Sequence, residues 1–527
     1  MNIYFMGMLI SMFIYIFLGI VISKNVKNAN DFYVAGRNAP TFLIVGSLVA
    51  SYCSTGLFMG DVGEAFDGFY TPVLITIGML ITGYVLGSVF FGKYLRRSNA
   101  LTIPEFFGKR FNSKKIGILA AITGLVIYLV YLLSIMQGIG TLMHYVTNIN
   151  YNVCIFFALI TFTLLTVMSG SKGVLITDTI MFGIFTVTAI LGAIIIVVKS
   201  GGWFETLKSV TMINSDIFSW HGNLKHYYST GLENMIWAIM TGFTWIAVCM
   251  VGPWQSSRYL MAKDEHTVIR SSTIAAFFVF LIEFLMLTVG AFIVKYNPDI
   301  SSPSYAMIWG ATHLLPAWLG VSMLTGVLAA GISSATTFLS LVGASFANDL
   351  FDIKDEKKKI LFGRIAIIIV AIIVYILSAF NPPNIYIIMC LSGTVVVCAW
   401  FPVCVASIWS TRITSTGAFW GMLLGFFGCA VMKIGSAVFQ INIPIYLDAF
   451  FVGIILNIIG MVVGSKLTKV SLEEKQARQI LMKIPDTELD SKQIKVTKKF
   501  LFLYIGFGVV ILLILLFLWA IPYTNCF

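Results

Sequence analysis

Fourteen long apolar stretches, separated by short polar ones, fill most of this 527-residue chain. They lie near 4–22, 41–64, 70–91, 116–146, 152–168, 173–198, 233–252, 272–295, 317–349, 360–380, 384–409, 415–440, 443–465 and 499–521. Crossing about 30 Å of hydrocarbon takes about 20 mostly apolar residues. A backbone in lipid must satisfy its own polar groups, so continuous runs of this length are helices. A barrel would show alternating segments of about ten residues instead. Only 11% of the residues are charged, against about 25% in soluble domains. So little charge cannot cover a water-soluble surface of this size. A soluble enzyme, a nucleic-acid binder and a disordered chain are thereby excluded. The expected fold class is an all-α polytopic membrane protein of about 14 transmembrane helices.

The basic residues set the orientation. With the N-terminus outside, 29 of the 34 Lys and Arg residues fall on inward segments, and Lys199, Lys208, Lys225, Lys295 and Lys433 on outward ones. That asymmetry predicts N-out and C-out. It also ties the net charge of +11 to topology and anionic lipid rather than to nucleic acid. No Lys or Arg precedes Lys24, so the first stretch reads as a retained span and not a signal peptide. Seven of the eight cysteines sit inside predicted helices without a C-x-x-C pair, which reads as small apolar packing.

Two stretches are unusually long, 116–146 and 317–349, and each is the third of a five-helix set. By the charge asymmetry the two sets enter the membrane from opposite sides, as inverted repeats do. The leading helix of each set looks interrupted, at Ala50-Ser51-Tyr52-Cys53-Ser54-Thr55-Gly56 and at Thr241-Gly242-Phe243-Thr244-Trp245. Such polar and glycine residues at mid-membrane suit unwound segments lining a cavity; small residues at a helix–helix contact are the plainer alternative. The domain reading is 1–40 for the leading helix and first cytoplasmic loop, 41–200 and 201–410 for the repeats, 411–465 for two accessory helices, 466–498 for a charged cytoplasmic loop with a solvated surface, and 499–527 for the last helix.

The most informative run is Ala329-Ala330-Gly331-Ile332-Ser333-Ser334-Ala335-Thr336-Thr337. It packs four hydroxyls into five residues at the middle of a long helix. Hard cations prefer oxygen ligands, and hydroxyls with backbone carbonyls supply them without burying a charge. Bonds from each hydroxyl to the preceding turn are the alternative. Ser333 and Ser334 point about 100° apart, whereas Ser333, Thr336 and Thr337 share a face, so one helix can serve two neighbouring sites. Asp178 is an intramembrane carboxylate, and Glu283 lies deeper; either is a candidate functional group. The chain has no H-E-x-x-H motif, no Walker-type loop and no histidine ligand pair among His144, His221, His226, His266 and His313, so no enzyme is expected.

Several segments together, in order from about residue 29 to 465, resemble the sodium:solute symporter family. They are Asp31 through Arg37, Leu101 through Phe106 with Lys109-Arg110-Phe111, Gly173 through Asp178, Ala329 through Thr337, and Ala347 through Phe351. The resemblance implies a LeuT-type core of two inverted five-helix repeats. It implies a first sodium site from the carbonyls of Ala50, Cys53 and Ala330 and the hydroxyls of Ser333 and Ser334. A second sodium would take Asp178, Thr336 and Thr337. Sodium is then the coupling ion, with no organic cofactor, and the partners are a small organic solute and membrane lipid, with no nucleic acid.

The departures concern the solute. Sugar-transporting members carry amides and a carboxylate where this chain has Tyr52, Leu57 and an acid-free second helix, and buried sugar hydroxyls need partners. Proline-type members have Asp in place of Tyr52. The run Asn381-Pro382-Pro383-Asn384-Ile385 resembles the pantothenate and monocarboxylate branches, so a small organic acid is the first expectation, favoured also by half-helix N-termini near the break. Tyr52, Ser54, Thr55 and Thr241 are the expected substrate-binding residues. The function expected is sodium-coupled secondary active uptake by alternating access in a multi-pass, bacterial-type plasma membrane. The rivals are a proton-coupled transporter using Asp178 or Glu283, an amino-acid symporter on the same fold, a channel, and a solute sensor.

Overall fold

The structure, a computed structural model, describes residues 3–23, 28–224, 226–380, 384–441 and 443–526. Lys24, Lys27, Lys225 and the run 381–383 lie outside the described residues. Among those described there is no strand, only an isolated bridge between Ala39 and Ala262. Thirteen helices are long and apolar enough to cross a membrane.

The chain begins with α1 (Ile3–Ser23) and the short α2 (Thr41–Tyr52). Next come α3 (Gly56–Arg97), α4 (Lys114–Thr147), α5 (Tyr151–Met168) and α6 (Gly170–Lys199). The following set is α7 (Gly231–Val251), α8 (Pro253–Met261), α9 (Glu265–Ile293), α10 (Ala317–Leu350), α11 (Glu356–Phe380) and α12 (Ile385–Trp409). Outside both lie α13 (Ser415–Phe439), α14 (Ala449–Leu467), α15 (Leu472–Met482) and α16 (Ser491–Thr524).

Thirteen rather than fourteen spans result because the first core helix is split. α2 is only 12 residues long and ends at Tyr52. Helix resumes at Gly56 and runs into the next span, the two meeting at Gly68, whose φ of 99° is open to glycine. The other expected interruption is not where the sequence placed it. α7 is continuous through Thr241–Trp245, with the Thr244 hydroxyl donating to the Met240 carbonyl at 3.0 Å. The break falls at Gly252, with ψ 131°. Pro253 explains it, since proline disfavours helical ψ at the residue before it and starts a new helix well.

Lipid offers no hydrophobic drive between helices, so close packing must hold them. α10 is the most enclosed: 94% of its most apolar window is buried, against 6% in α16. Thr55 shows how tight the centre is. A Cβ on Gly138 of α4 would lie 2.5 Å from the Thr55 side chain, and one on Gly331 of α10 would lie 2.9 Å from it.

The charged segment after α14 is mostly exposed, and it is anchored to the helices at a few points. α15 opens with a capping box between Ser471 and Glu474. The buried Arg110 donates to the carbonyls of Ser407 at 2.5 Å and Glu474 at 3.2 Å. Arg97 grips Glu265 through two nitrogens, at 2.5 and 2.7 Å, and donates to the Leu481 carbonyl at 2.9 Å. α16 starts at Ser491, earlier than the expected 499, and Thr497 bonds His266 and Arg270 of α9 at 2.9 Å each.

Candidate functional site

The helix break presents carbonyls that a continuous helix would use. Cys53 has ψ 82°, so the chain leaves helical geometry directly after Tyr52. The Ser333 hydroxyl lies 3.0 Å from the Ala50 carbonyl and 2.9 Å from that of Ala330. The Ser334 hydroxyl lies 3.3 Å from the same Ala50 oxygen. Two hydroxyls from the most buried helix thus converge on one carbonyl just before the break. Ala50, Ala330, Ser333 and Ser334 are brought together, and Cys53 marks the unwound end beside them. Every donor is a neutral oxygen, which fits a hard monovalent cation.

The second set of oxygens is arranged differently. Asp178 is fully buried and Arg258 is 2% exposed. Arg258 Nη2 lies 3.0 Å from Asp178 Oδ2 and 2.5 Å from Thr337 Oγ1, while its Nε donates to Ser47 Oγ at 2.9 Å. Ser47 in turn donates to Asp178 Oδ2 at 2.6 Å. Thr336 turns back to the Ser333 carbonyl at 2.9 Å. Asp178 and Thr337 therefore meet through a guanidinium rather than in an all-oxygen cage, and Thr336 stands apart. Arg258 had no local sequence signal; the signal was Asp178 itself, because a buried carboxylate needs a cation partner.

Around the break the expected solute residues separate. Tyr52 donates to Glu283 Oε1 at 2.7 Å and packs edge-on against Trp245, centroids 5.7 Å apart. Ser54 accepts from the Gly56 amide at 3.0 Å, capping the outer half-helix, and meets the Tyr131 hydroxyl at 3.3 Å. Thr55 is wedged between Gly138 and Gly331, within the helix packing. Thr241 lines a cavity of about 810 Å³ with Tyr227, Trp237, Tyr386 and Cys390. Two acids stand near the break. Glu283 Oε2 is buried without a protein partner. Asp61, 8% exposed, lies within electrostatic reach of Glu283, Tyr52 and Tyr386. Asp61 was missed because it sits among glycines in an apolar run and only the fold brings it within electrostatic reach of Glu283.

The cavity opens at the end that carries residues 226–229. There His226 bonds Glu64 at 2.8 Å and Asp67 at 3.0 Å, and Tyr227 donates to Glu64 at 3.0 Å. Burial opposes a charge on His226, but the bonds to Asp67 and Glu64 prevail and raise its pKa to about 9. The opposite end is closed. The Ala39 amide donates to Met261 at 3.1 Å, the Lys263 amide to Ala39 at 3.0 Å, and Arg96 Nε to the Ala262 carbonyl at 2.7 Å.

Comparison with known proteins decides what this architecture is. The model of the sodium:solute symporter family matches residues 32–425. The chain belongs to that family. This symporter is 26% identical over 501 residues to the sodium/proline symporter of Escherichia coli (strain K12), covering 89% of this chain and 95% of that protein. It is 24% identical over 467 residues to the sodium/pantothenate symporter of Haemophilus influenzae, covering 85% and 92%. Its fold is similar to that of a Na+-coupled sialic acid symporter in a substrate-bound outward-open state, with a TM-score of 0.75 at 17% identity over 90% of this chain and 99% of that one. A nucleobase-cation-symport-1 family transporter in a closed conformation gives 0.57 at 11% identity, over 86% and 99%. The symporter is a LeuT-like, multi-pass protein of the plasma membrane, of a type found in bacteria. It is a sodium-coupled transporter of a small organic solute and not an enzyme.

Proposed function

We propose that the symporter binds one sodium ion at Ala50, Cys53, Ala330, Ser333 and Ser334 and uses its inward passage to drive solute uptake by alternating access. The observation that carries this is the convergence of Ser333 and Ser334 on the Ala50 carbonyl at the start of the break. A sodium ion bound there ties α2 to α10 and sets the position of the outer half-helix. Solute enters through the cavity beside Thr241, Trp237 and Tyr386, and closure over it precedes opening at the Ala39–Met261 end. N-out orientation, from the charge asymmetry, makes the cavity extracellular.

The position of the second sodium is taken, in this reading, by Arg258. A sodium ion between Asp178 and Thr337 would lie against the guanidinium and be repelled by it. In this reading the expected small organic anion is disfavoured, because an ionised Glu283 bonded to Tyr52 repels a free anion.

The test is thermal stability of the purified protein against sodium at constant ionic strength, potassium replacing it. A ligand of the folded form stabilises by RT ln(1 + [L]/Kd), about 2.7 kcal/mol at 100 Kd. Sodium should stabilise the wild type, and Ser334→Ala should lose the response. Equal behaviour in sodium and potassium removes the sodium site. The proton-coupled alternative keeps one specific support, the unpartnered Glu283 oxygen, and a pH jump without sodium distinguishes it.

A further inference from the structure

The loop between α12 and α13 and the chain leaving α14 lie side by side, pinned by neutral groups. Thr414 Oγ1 meets Thr468 Oγ1 at 2.7 Å, and the Thr414 amide donates to Ser465 Oγ at 3.3 Å. Glycines bring α13 and α14 together beneath: a Cβ on Gly464 would lie 2.8 Å from the Gly417 Cα. α15 closes the same corner, with Arg478 Nε donating to the Ile408 carbonyl at 2.9 Å.

This frame surrounds a cavity of about 800 Å³. Arg412 of the loop, Lys466 in the last turn of α14, Lys469 just beyond it and Lys475 of α15 all line the cavity, and no carboxylate does. The four side chains are exposed, and among the described residues the Lys and Arg ion pairs all lie elsewhere. Glu474, close by in sequence, is turned to the backbone, accepting from the amides of Ser415 at 2.6 Å and Ser471 at 2.7 Å. A cleft lined by one sign of charge concentrates the opposite charge, so this one draws an anion.

The rest of the lining identifies the anion. Ala406, Met461 and Val462 make an apolar wall, and Val462 and its neighbour Val463 are also exposed along α14. The wall stands at the ends of two membrane-spanning helices, α12 and α14, on the side where α15 docks, which the charge asymmetry makes cytoplasmic. A freely soluble phosphate has no use for an apolar wall. A phospholipid presents a phosphate at this depth with acyl chains alongside the helices, and basic pockets between helices on the cytoplasmic side suit anionic headgroups.

We propose that this cavity binds one anionic phospholipid of the inner leaflet. Arg412, Lys466, Lys469 and Lys475 hold its phosphate, and an acyl chain lies along Met461 and Val462. Arg412 offers paired N–H donors to the phosphate oxygens, and the lysines add point charge. Because Lys475 belongs to α15, the lipid also fastens to the membrane the segment that Arg97 and Arg110 hold against the helices.

The experiment follows the melting temperature of the full-length protein in neutral detergent during titration with dioleoylphosphatidylglycerol. Dioleoylphosphatidylcholine has the same chains without net charge, and inorganic phosphate and glycerol 3-phosphate are the soluble anions, all at equal ionic strength. Phosphatidylglycerol should stabilise the protein and the other three should not. One basic residue near an anionic surface is worth about fivefold in association. Arg412→Gln with Lys466→Gln, and separately Lys469→Gln with Lys475→Gln, should each move the phosphatidylglycerol titration about 25-fold to higher lipid. Lys492→Gln with Lys495→Gln removes the same charge from exposed positions outside the cavity and should leave the titration nearly in place. Without lipid the variants should melt with the wild type. If a cavity pair melts early, the four single variants carry the same prediction at about fivefold each. The proposal is overturned if phosphatidylcholine acts as well as phosphatidylglycerol, or if none of the ligands acts. It is equally overturned if the outside pair moves the titration as far as the cavity pairs, which would mean diffuse attraction. Equal stabilisation by inorganic phosphate or glycerol 3-phosphate would make the ligand a soluble phosphate and remove the lipid.

Discussion

Arg258 carries the sharpest energetic statement at the level of single residues. Its guanidinium is the only cation paired with the fully buried Asp178 among the described residues. Removing one partner of such a pair leaves an uncompensated charge and costs about 3–5 kcal/mol, whereas replacing both with apolar groups costs far less. Arg258→Met should therefore unfold the protein at markedly lower temperature, and adding Asp178→Leu should recover much of the loss; thermal denaturation in detergent reads both. An unchanged melting temperature in the single variant would mean Asp178 is neutral or paired elsewhere. His226 gives the pH dependence. Its folded pKa is raised to about 9 from 6.5, so the stability it contributes is fully present below about pH 6.5. That stability is lost as pH rises through about 9. Melting temperature measured from pH 6 to 10 should fall across that window in wild type and fall less in His226→Gln.

The breaks make the comparison of sequence with structure concrete at the scale of elements. The split near Tyr52 was legible because polar side chains and Gly56 fill the middle of an apolar run, where a plain span has no use for them. Thr241 to Trp245 carried the same signature, yet α7 stays helical. There Thr244 satisfies its hydroxyl within the helix, and Gly242 serves close packing, since a Cβ on it would lie 2.5 Å from Met79. Composition alone does not distinguish a break from a contact, whereas the Gly252-Pro253 pair does so through backbone sterics. The hydroxyl run of α10 was legible because all its members are local. Arg258 and Asp61 were not, since their partners lie far away in sequence and only packing selects them. Packing also yields a test. Gly138→Ala places a Cβ 2.5 Å from Thr55, in a wall of the break, and overpacking of this kind costs typically about 1–3 kcal/mol. Thermal unfolding should show that loss, and Thr55→Gly in the same chain should reverse most of it. If Gly138→Ala melts like wild type, the contact between α4 and the break is looser than the structure has it.

Across the whole molecule, the closed end and the open end are held by different chemistry, and the transport cycle must exchange them. Backbone bonds between Ala39 and Met261–Lys263 and the Arg97–Glu265 grip on α15 seal one end, while the His226 bonds brace the other without covering the cavity. The charge moved in each exchange follows from the sites. On the proposed single sodium site, with Arg258 resident at the other, one sodium ion crosses per cycle and the solute adds its own charge. A potential of 100 mV is worth about 2.3 kcal/mol per charge, and a tenfold sodium gradient about 1.4 kcal/mol. A zwitterion carried with one sodium ion then accumulates roughly 500-fold under both forces, with a tenfold change for each 60 mV or so. A monocationic amine moves two charges, so its accumulation changes about tenfold for each 30 mV. A simple anion with one sodium would show no voltage dependence at all. Equilibrium accumulation in proteoliposomes, with the potential set by potassium gradients and valinomycin, separates these slopes. A zwitterion that accumulates with the 30 mV slope would require two sodium ions, and Arg258 would then have to leave the oxygens of Asp178 and Thr337 during the cycle.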